Sequence, residues 1–271
     1  MNLLDGKKLS EKILTNIRKK LKKKLTLAVV LVGDNVVSEI FINQKRMACE
    51  KAGIGFKLFK FPIDIKSRDL KKEIEKIVEK PNVSGIIIQL PLPEKFIPEE
   101  FLNLIPEEKD VDVLSEASLG KFYQGVSPIL PPTVSGILQL LKSYRINLKG
   151  KNVVIVGAGR LVGLPLAIQF LREKATTSIV NRFTKDTASF TKKADILISG
   201  VGKPGLIKGE MVKRGAVVID AGSSLWQGKL VGDVDFKSVS KKASYITPVP
   251  GGVGPMTVAC LLENLAKLKQ L

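Results

Sequence analysis

At 271 residues the chain has room for one large domain or two smaller ones, and with 44% apolar but only 6% aromatic residues its core is built from Val, Ile and Leu. Forty-four Lys and Arg against 26 Asp and Glu give a net charge of +18. The lysines are spread along helix faces, as in Lys19–Lys24, with few aromatics to stack bases, so a solvated surface is favoured over a nucleic-acid partner; an acidic small substrate is a third reading. Histidine is absent, which excludes the commonest general base and the commonest zinc ligand and leaves acid–base work to Lys, Asp, Glu or Tyr. No apolar run approaches the roughly 18 residues of a membrane span, and the N-terminus lacks the apolar stretch of a signal peptide. The two cysteines, Cys49 and Cys260, give no disulfide framework and are expected as buried small hydrophobes. These features point to a cytoplasmic protein with no metal and no membrane partner.

In chain order, Leu27–Val32 reads as a buried strand, Val36–Ala52 as a helix, Phe56–Phe61 as a strand, Ser67–Lys80 as a helix and Gly85–Gln89 as a strand. This alternation predicts parallel strands with helices on their faces. The stretch Leu90–Pro132 is richer in Pro, Gly and acids and reads as an irregular crossing with short helices. A helix over Val134–Tyr144 follows. The pattern then restarts: strand Asn152–Val156, helix Val162–Glu173, strand Thr177–Val180, helix Thr184–Lys193, strands Ile196–Ser199 and Ala216–Asp220. The expected fold class is therefore α/β, with two α/β units, a boundary near residue 125 and a ligand cleft between them.

Five places are candidates for chemistry. On the helix Val36–Ala52, Phe41 and Lys45 lie four residues apart on one face, with Ser38 a turn earlier; a lysine acts as a base when burial or nearby cations lower its pKa. Gln89 ends an apolar strand, at the end where α/β proteins hold their ligands. Asp110 and Asp112 are two apart and would face the same way in an extended segment, a spacing open to paired-carboxylate chemistry, to a metal or to a solvated turn. Further on, Val153-Val-Ile-Val-Gly157-Ala158-Gly159-Arg160-Leu-Val-Gly163 is a strand, a glycine turn and a helix start. Such a turn lets backbone approach a pyrophosphate at a helix N-terminus. The following strand ends Val180-Asn181-Arg182, without the carboxylate that usually accepts from an NAD ribose; Arg182 suits a 2′-phosphate and favours NADP over NAD. Finally, Pro248-Val-Pro250-Gly251-Gly252-Val-Gly-Pro255-Met-Thr257 mixes φ-fixing prolines with permissive glycines. It reads as a constrained loop near a ligand, with Pro255 opening a helix over Met256–Leu268.

Together these motifs resemble the bifunctional methylenetetrahydrofolate dehydrogenase/methenyltetrahydrofolate cyclohydrolase family over nearly the whole length. The resemblance is carried by Val32-Gly33-Asp34 with Ser38 and Lys45, Gly85-Ile-Ile-Ile-Gln-Leu-Pro-Leu-Pro93, Lys109-Asp-Val-Asp112, Gly157–Pro165, Gly232-Asp-Val-Asp235 and Ile246–Thr257. It implies an N-terminal folate-binding catalytic domain, residues 1–125 with a returning C-terminal helix 256–271, and a Rossmann-type NAD(P)-binding domain, residues 126–255, in a homodimer. It implies Lys45 as the catalytic lysine, Gln89 tuning it and Asp112 holding the pterin ring. Ser38, Phe41, Pro250, Gly251 and Gly252 would line the folate site, and Gly157, Ala158, Gly159, Arg160, Gly163, Arg182 and Ser223 the NADP site. A small acidic folate is then the substrate. Other readings are a dehydrogenase with weakened cyclohydrolase, another Rossmann dehydrogenase of amino-acid or shikimate type, and a basic nucleic-acid-binding protein on the same fold. The chain departs from the family pattern in having Phe41 for a tyrosine, Val113-Leu114 after Asp112 for Gly-Phe or Gly-Leu, Pro131-Pro132-Thr133-Val134 for Pro-Cys-Thr-Pro, Gly159 for a serine and Asn181 for a histidine.

Overall fold

The structure is a computed structural model and describes residues 1–270. In chain order it contains β1 (Asn2–Leu3), α1 (Gly6–Lys20), β2 (Thr26–Val32), α2 (Val36–Ala52), β3 (Gly55–Phe61), α3 (Ser67–Glu79), β4 (Gly85–Ile88), α4 (Pro98–Leu102), α5 (Glu116–Gln124), α6 (Pro132–Ser143), β5 (Asn152–Val156), α7 (Gly163–Arg172), β6 (Thr176–Val180), α8 (Thr187–Thr191), β7 (Ile196–Ser199), β8 (Val217–Asp220), β9 (Ser224–Trp226), β10 (Lys229–Val231), α9 (Phe236–Val239), β11 (Tyr245–Ile246) and α10 (Val253–Leu268). Among the described residues no helix is long and apolar enough to cross a membrane.

The chain divides into two compact units. One comprises Ser10–Pro132 with Val258 onward, and the other Met1–Leu9 with Thr133–Thr257. The first nine residues thus differ from the expected division at residue 125, which put them with the N-terminal domain. The cause is β1, which pairs in parallel with β11, while Lys7 N–H donates to Gly251 O at 2.8 Å. Two-residue strands carry no periodicity that a sequence could show.

In the N-terminal unit the sheet order is β3-β2-β4, all parallel. Every residue of central β2 is buried. Its alternate side chains feed two cores, because successive Cβ atoms point to opposite faces. Leu27, Val29 and Leu31 pack with Ile42 and Cys49 of α2 and with Leu261, Leu262 and Leu265 of α10. Ala28, Val30 and Val32 pack with Leu70, Ile74 and Ile77 of α3 and Phe101 of α4. Asn35 caps α2 by accepting from Ser38 N–H at 2.9 Å, and Gly53, left-handed at φ 73°, ends it. Helix α2 therefore has fixed ends and a fixed inward face, which sets the direction of Lys45.

The C-terminal unit carries a six-stranded sheet in the order β1-β11-β8-β7-β5-β6, parallel throughout. Its central strands β5, β7 and β8 are buried and largely aliphatic, and Val154, Val156, Leu197, Val218 and Ile246 share one core with Ile207, Val212 and Val239. Helix α8 is shorter than the expected Thr184–Lys193, because Asn181 and Thr184 instead close a turn: Asn181 Oδ1 accepts from Phe183 N–H at 3.0 Å and Thr184 Oγ1 from Asn181 N–H at 3.1 Å. Helix α10 begins at Val253, earlier than expected, so Pro255 is its third residue, still in the first turn, where a missing N–H costs nothing.

Val113 has φ 58°, in the left-handed region that glycine enters freely and a β-branched residue enters at a cost. Its side chain is fully buried against Phe122 and Ile129, and that packing offsets the strain. Val113→Ala removes the packing and keeps the left-handed cost, whereas Val113→Gly removes both. In urea unfolding, Val113→Ala is expected to lose about 1–3 kcal/mol, and Val113→Gly to be the more stable of the two by about 1 kcal/mol, the reverse of the usual alanine–glycine order.

Candidate active site

Lys45 and Gln89 meet, as their positions imply, within the N-terminal unit. Lys45, partly buried on the fourth turn-face of α2, donates from Nζ to Gln89 Oε1 at 2.9 Å. Gln89 is buried and follows β4, where its own N–H donates to Val30 O at 2.8 Å. Its Nε2 donates to Leu90 O at 2.7 Å. The amide therefore has one orientation, nitrogen to the backbone and oxygen to the lysine. The bond between Leu90 and Pro91 is cis.

Withdrawal from water lowers the Lys45 pKa below the ordinary lysine value, against the raising pull of the Asp112 carboxylate and of Cys49. Asp112 is pushed up to about 6 by the same withdrawal; Lys45 works against the rise and Asp110 adds to it. Burial pushes the Cys49 thiol up to about 12, with Lys45 opposing, so at neutral pH it is an uncharged neighbour. Asp110 and Asp112 do not act as the matched pair of an extended segment. The chain turns after Asp112, and the buried Asp110 carboxylate accepts from backbone N–H groups, Leu114 at 3.1 Å and Ser115 at 2.9 Å. The paired-carboxylate reading falls with this geometry, since one of the two carboxylates is occupied by amides. Of the other residues expected at a substrate site, Ser38 is buried in the first turn of α2, and Phe41 lies partly buried one turn before Lys45.

Pro250, Gly251 and Gly252 lie in the C-terminal unit, in the loop before α10. Gly251 has φ 114°, the Val249–Pro250 bond is cis, and a Cβ on Gly6 would overlap the Gly252 carbonyl. The proline–glycine mixture thus serves a close backbone approach to the chain's own first helix.

The glycine loop is built as a cradle. Gly157 has φ 106°, and a Cβ there would sit 2.9 Å from Gly200 O; a Cβ on Gly163 would overlap the Gly157 carbonyl oxygen. Both positions require glycine, one for the turn after β5 and one for the approach of α7. Gly159 faces open space, and Ala158 is exposed beside it while Arg160 is partly buried. Arg182, just past β6, is exposed with its guanidinium 4.8 Å from the Phe183 ring. Ser223, just past β8, holds a buried hydroxyl oxygen with no hydrogen-bond partner. A backbone cradle at a helix start, an exposed cation past the next strand and an unpartnered hydroxyl at the strands' C-terminal ends are the donor set that a dinucleotide needs.

The motif Gly232-Asp-Val-Asp235 carried the resemblance without a role, and the structure supplies one. Fully buried Asp233 accepts from Ser199 Oγ at 2.7 Å, Val201 N–H at 2.7 Å and Lys203 N–H at 2.8 Å. Asp220 accepts from Gly222, Asp233 and Val234 N–H, and burial pushes it up to about 6. A Cβ on Gly222 or Gly232 would overlap these carboxylates. The two acids tie down the loops after β7 and β8, where the orphan hydroxyl of Ser223 lies. A glycine directly before an aspartate was the sequence signal.

Comparison with known proteins finds two family models along the chain. Residues 4–112 match the family model of the tetrahydrofolate dehydrogenase/cyclohydrolase catalytic domain, and residues 131–271 match that of its NAD(P)-binding domain. The chain belongs to the tetrahydrofolate dehydrogenase/cyclohydrolase family. It is 49% identical to the bifunctional protein FolD of a Hydrogenobaculum species over 272 residues, 98% of each chain. Among solved structures it resembles the bifunctional enzyme FolD, a methylenetetrahydrofolate dehydrogenase/cyclohydrolase, of Campylobacter jejuni, with TM-score 0.94, 43% identity and 99% of both chains covered. It also resembles the Trypanosoma brucei methylenetetrahydrofolate dehydrogenase-cyclohydrolase solved with NADP cofactor and inhibitor, with TM-score 0.93, 33% identity, 97% of this chain and 95% of that one.

Because Lys45 holds the Asp112 pKa down, Lys45→Met is expected to raise it above about 6. Carboxyl carbon NMR, with Asp112→Asn to assign the resonance, reads this shift; an unchanged or lowered value would separate the two groups.

Proposed function

We propose that the protein oxidises 5,10-methylenetetrahydrofolate to 5,10-methenyltetrahydrofolate with NADP and then hydrolyses that product to 10-formyltetrahydrofolate. The observation that carries the reading is the Lys45–Gln89 hydrogen bond beside Asp112, in a chain that matches both domain models of its family. NADP, when bound, accepts the hydride of the first step. The chain's own part is to hold, orient and move protons.

Lys45 is the proton-transferring group of the second step. Its lowered pKa lets it give up and take back a proton during water attack and ring opening, which an ordinary surface lysine does poorly at neutral pH. Gln89 fixes where that proton is held without adding charge. Asp112 holds the pterin ring, and its raised pKa suits a carboxyl group that accepts from ring nitrogens while partly withdrawn from water. Ser38 and Phe41 add further folate contacts from the same helix as Lys45. Phe41 keeps the packing of the family's tyrosine and lacks its hydroxyl, which weakens the hydrolytic step relative to the oxidation.

For the cofactor, Gly157, Ala158, Gly159, Arg160 and Gly163 form the pyrophosphate turn, Ser223 donates at the strand ends and Arg182 meets the 2′-phosphate. The preference for NADP over NAD rests on Arg182, because the strand end has no carboxylate to accept from a free ribose hydroxyl. The working assembly is a homodimer with no nucleic-acid partner, acting in one-carbon metabolism of the cytoplasm. Light scattering that returns the mass of a single chain would contradict the dimer.

Methenyl formation can be read by chromatography of quenched reactions, and its hydrolysis followed separately with added methenyltetrahydrofolate. Wild-type protein is expected to form it with NADP and to form it more slowly with NAD; no methenyl product with either would overturn the reading. Lys45→Met is expected to abolish its hydrolysis, and unchanged hydrolysis would remove Lys45 from its role. Phe41→Tyr is expected to speed hydrolysis about 10-fold, the worth of one positioning hydroxyl. Arg182→Ala is expected to weaken NADP binding about 10-fold by fluorescence titration and to leave NAD binding unaltered.

A further inference from the structure

The turn that carries Asp112 is tied at both ends by side chains that belong to neither the substrate nor the cofactor set. Before it, the Asp110 carboxylate accepts from Leu114 and Ser115 N–H and so closes the turn across Asp112 from behind. The Ile86 N–H of β4 donates to Lys109 O at 2.9 Å, and Lys109 Nζ donates to Val78 O, which fixes the approach to the turn. At its middle, Asn264 of α10, buried, donates from one amide nitrogen to Val111 O at 2.9 Å and to Leu130 O at 2.8 Å. A buried amide that spends both of its N–H groups on carbonyls of two distant segments defines the relative position of those segments.

We infer that Asp110 and Asn264 are positioning residues: they fix the turn that carries the Asp112 carboxylate near Lys45, and without them the lysine loses its counter-charge. The inference rests on the catalytic reading of Lys45 and Asp112 given above. It adds two side chains that touch neither substrate nor reacting atoms. The charged or titratable neighbours of the pair are few: Cys49 on the face of Lys45's own helix and Asp110 in the turn itself. Gln89 and Asn264, from the other elements, are neutral amides. The Asp112 carboxylate is thus the main force keeping the Lys45 proton in place against desolvation, and displacing it lowers the Lys45 pKa further.

The test reads Lys45 directly. Full-length protein is labelled with acetic anhydride across a pH series, and the Lys45 peptide is quantified by mass spectrometry, which needs no substrate. In Asp110→Ala the labelling midpoint of Lys45 is expected to move to lower pH than in wild type, and methenyl hydrolysis to fall about 10-fold or more, with NADP binding unchanged. Asn264→Ala is expected to act in the same direction. Asp110→Asn keeps an acceptor oxygen and guards against a variant that fails to fold. In it the Asp112 carboxyl is expected to titrate below the wild-type value of about 6, because a like charge has been removed, while the turn stays in place and hydrolysis is largely retained. An unmoved Lys45 midpoint in Asp110→Ala overturns the inference even if turnover falls, since a merely structural residue would behave so. If wild type turns over no methylenetetrahydrofolate, the proposed function fails, while the labelling midpoint still decides whether Asp110 positions the pair.

Discussion

A lysine withdrawn from water near a carboxylate is subject to two opposing influences, and Lys45 in the N-terminal unit stands between them. Desolvation lowers the Lys45 pKa; the Asp112 carboxylate raises it. The partner in direct contact is an amide. A carboxylate at position 89 would add an attraction of up to about 4 kcal/mol at contact distance in a partly buried setting, close to three pKa units, and would lock the proton onto the lysine. Gln89 supplies the geometry of a hydrogen bond without that charge. Its second N–H is spent on Leu90 O, so the amide cannot turn its nitrogen toward the ammonium. The choice of glutamine follows from electrostatics and not from size.

The C-terminal unit faces a different constraint, and it uses carboxylates as fasteners. Asp233 and Asp220 between them collect backbone N–H groups from the loops that follow β7, β8 and β10. Loops at the strands' C-terminal ends must be irregular to receive a ligand, and irregular backbone leaves donors unpaired. A buried carboxylate accepts several of them at once and is compensated by them. Each unit thus carries a buried acid that organises backbone: Asp110 behind the lysine site and Asp233 behind the cofactor loops. The same amide-accepting use of aspartate recurs in two sheets with different tasks.

Most of the architecture was legible in the sequence because the buried strands are unbroken aliphatic runs. Leu27–Val32 and Asn152–Val156 cannot be mistaken for surface, and Val36–Ala52 has a cap, a left-handed glycine stop and an inward face. Gln89 and the glycine loop were legible because each sits at an element's end, whereas Lys45, one of 44 basic residues, stood out only through the family resemblance. What escaped was set by tertiary contacts. The pairing of Asn2–Leu3 with Tyr245–Ile246 depends on residues more than two hundred positions apart. The shortening of the helix after Arg182 comes from two side chains capturing a turn. The role of Asp110 depends on the chain reversing after Asp112, which no alternation of residues could show.

That reversal is also where the chain departs most from its family pattern. A glycine after Asp112 adopts the left-handed turn at no steric cost, and Val113 at φ 58° does not. The substitution persists because a buried pocket of Phe122 and Ile129 receives its side chain, exchanging conformational freedom for packing. A glycine turn can rock about its φ and ψ, so Asp112 on such a turn is held by hydrogen bonds alone. With valine the same turn is pinned by its side chain as well, between Asp110's grip on one side and Asn264's on the other. Asp112 therefore sits on a turn with less conformational freedom than a glycine would leave it.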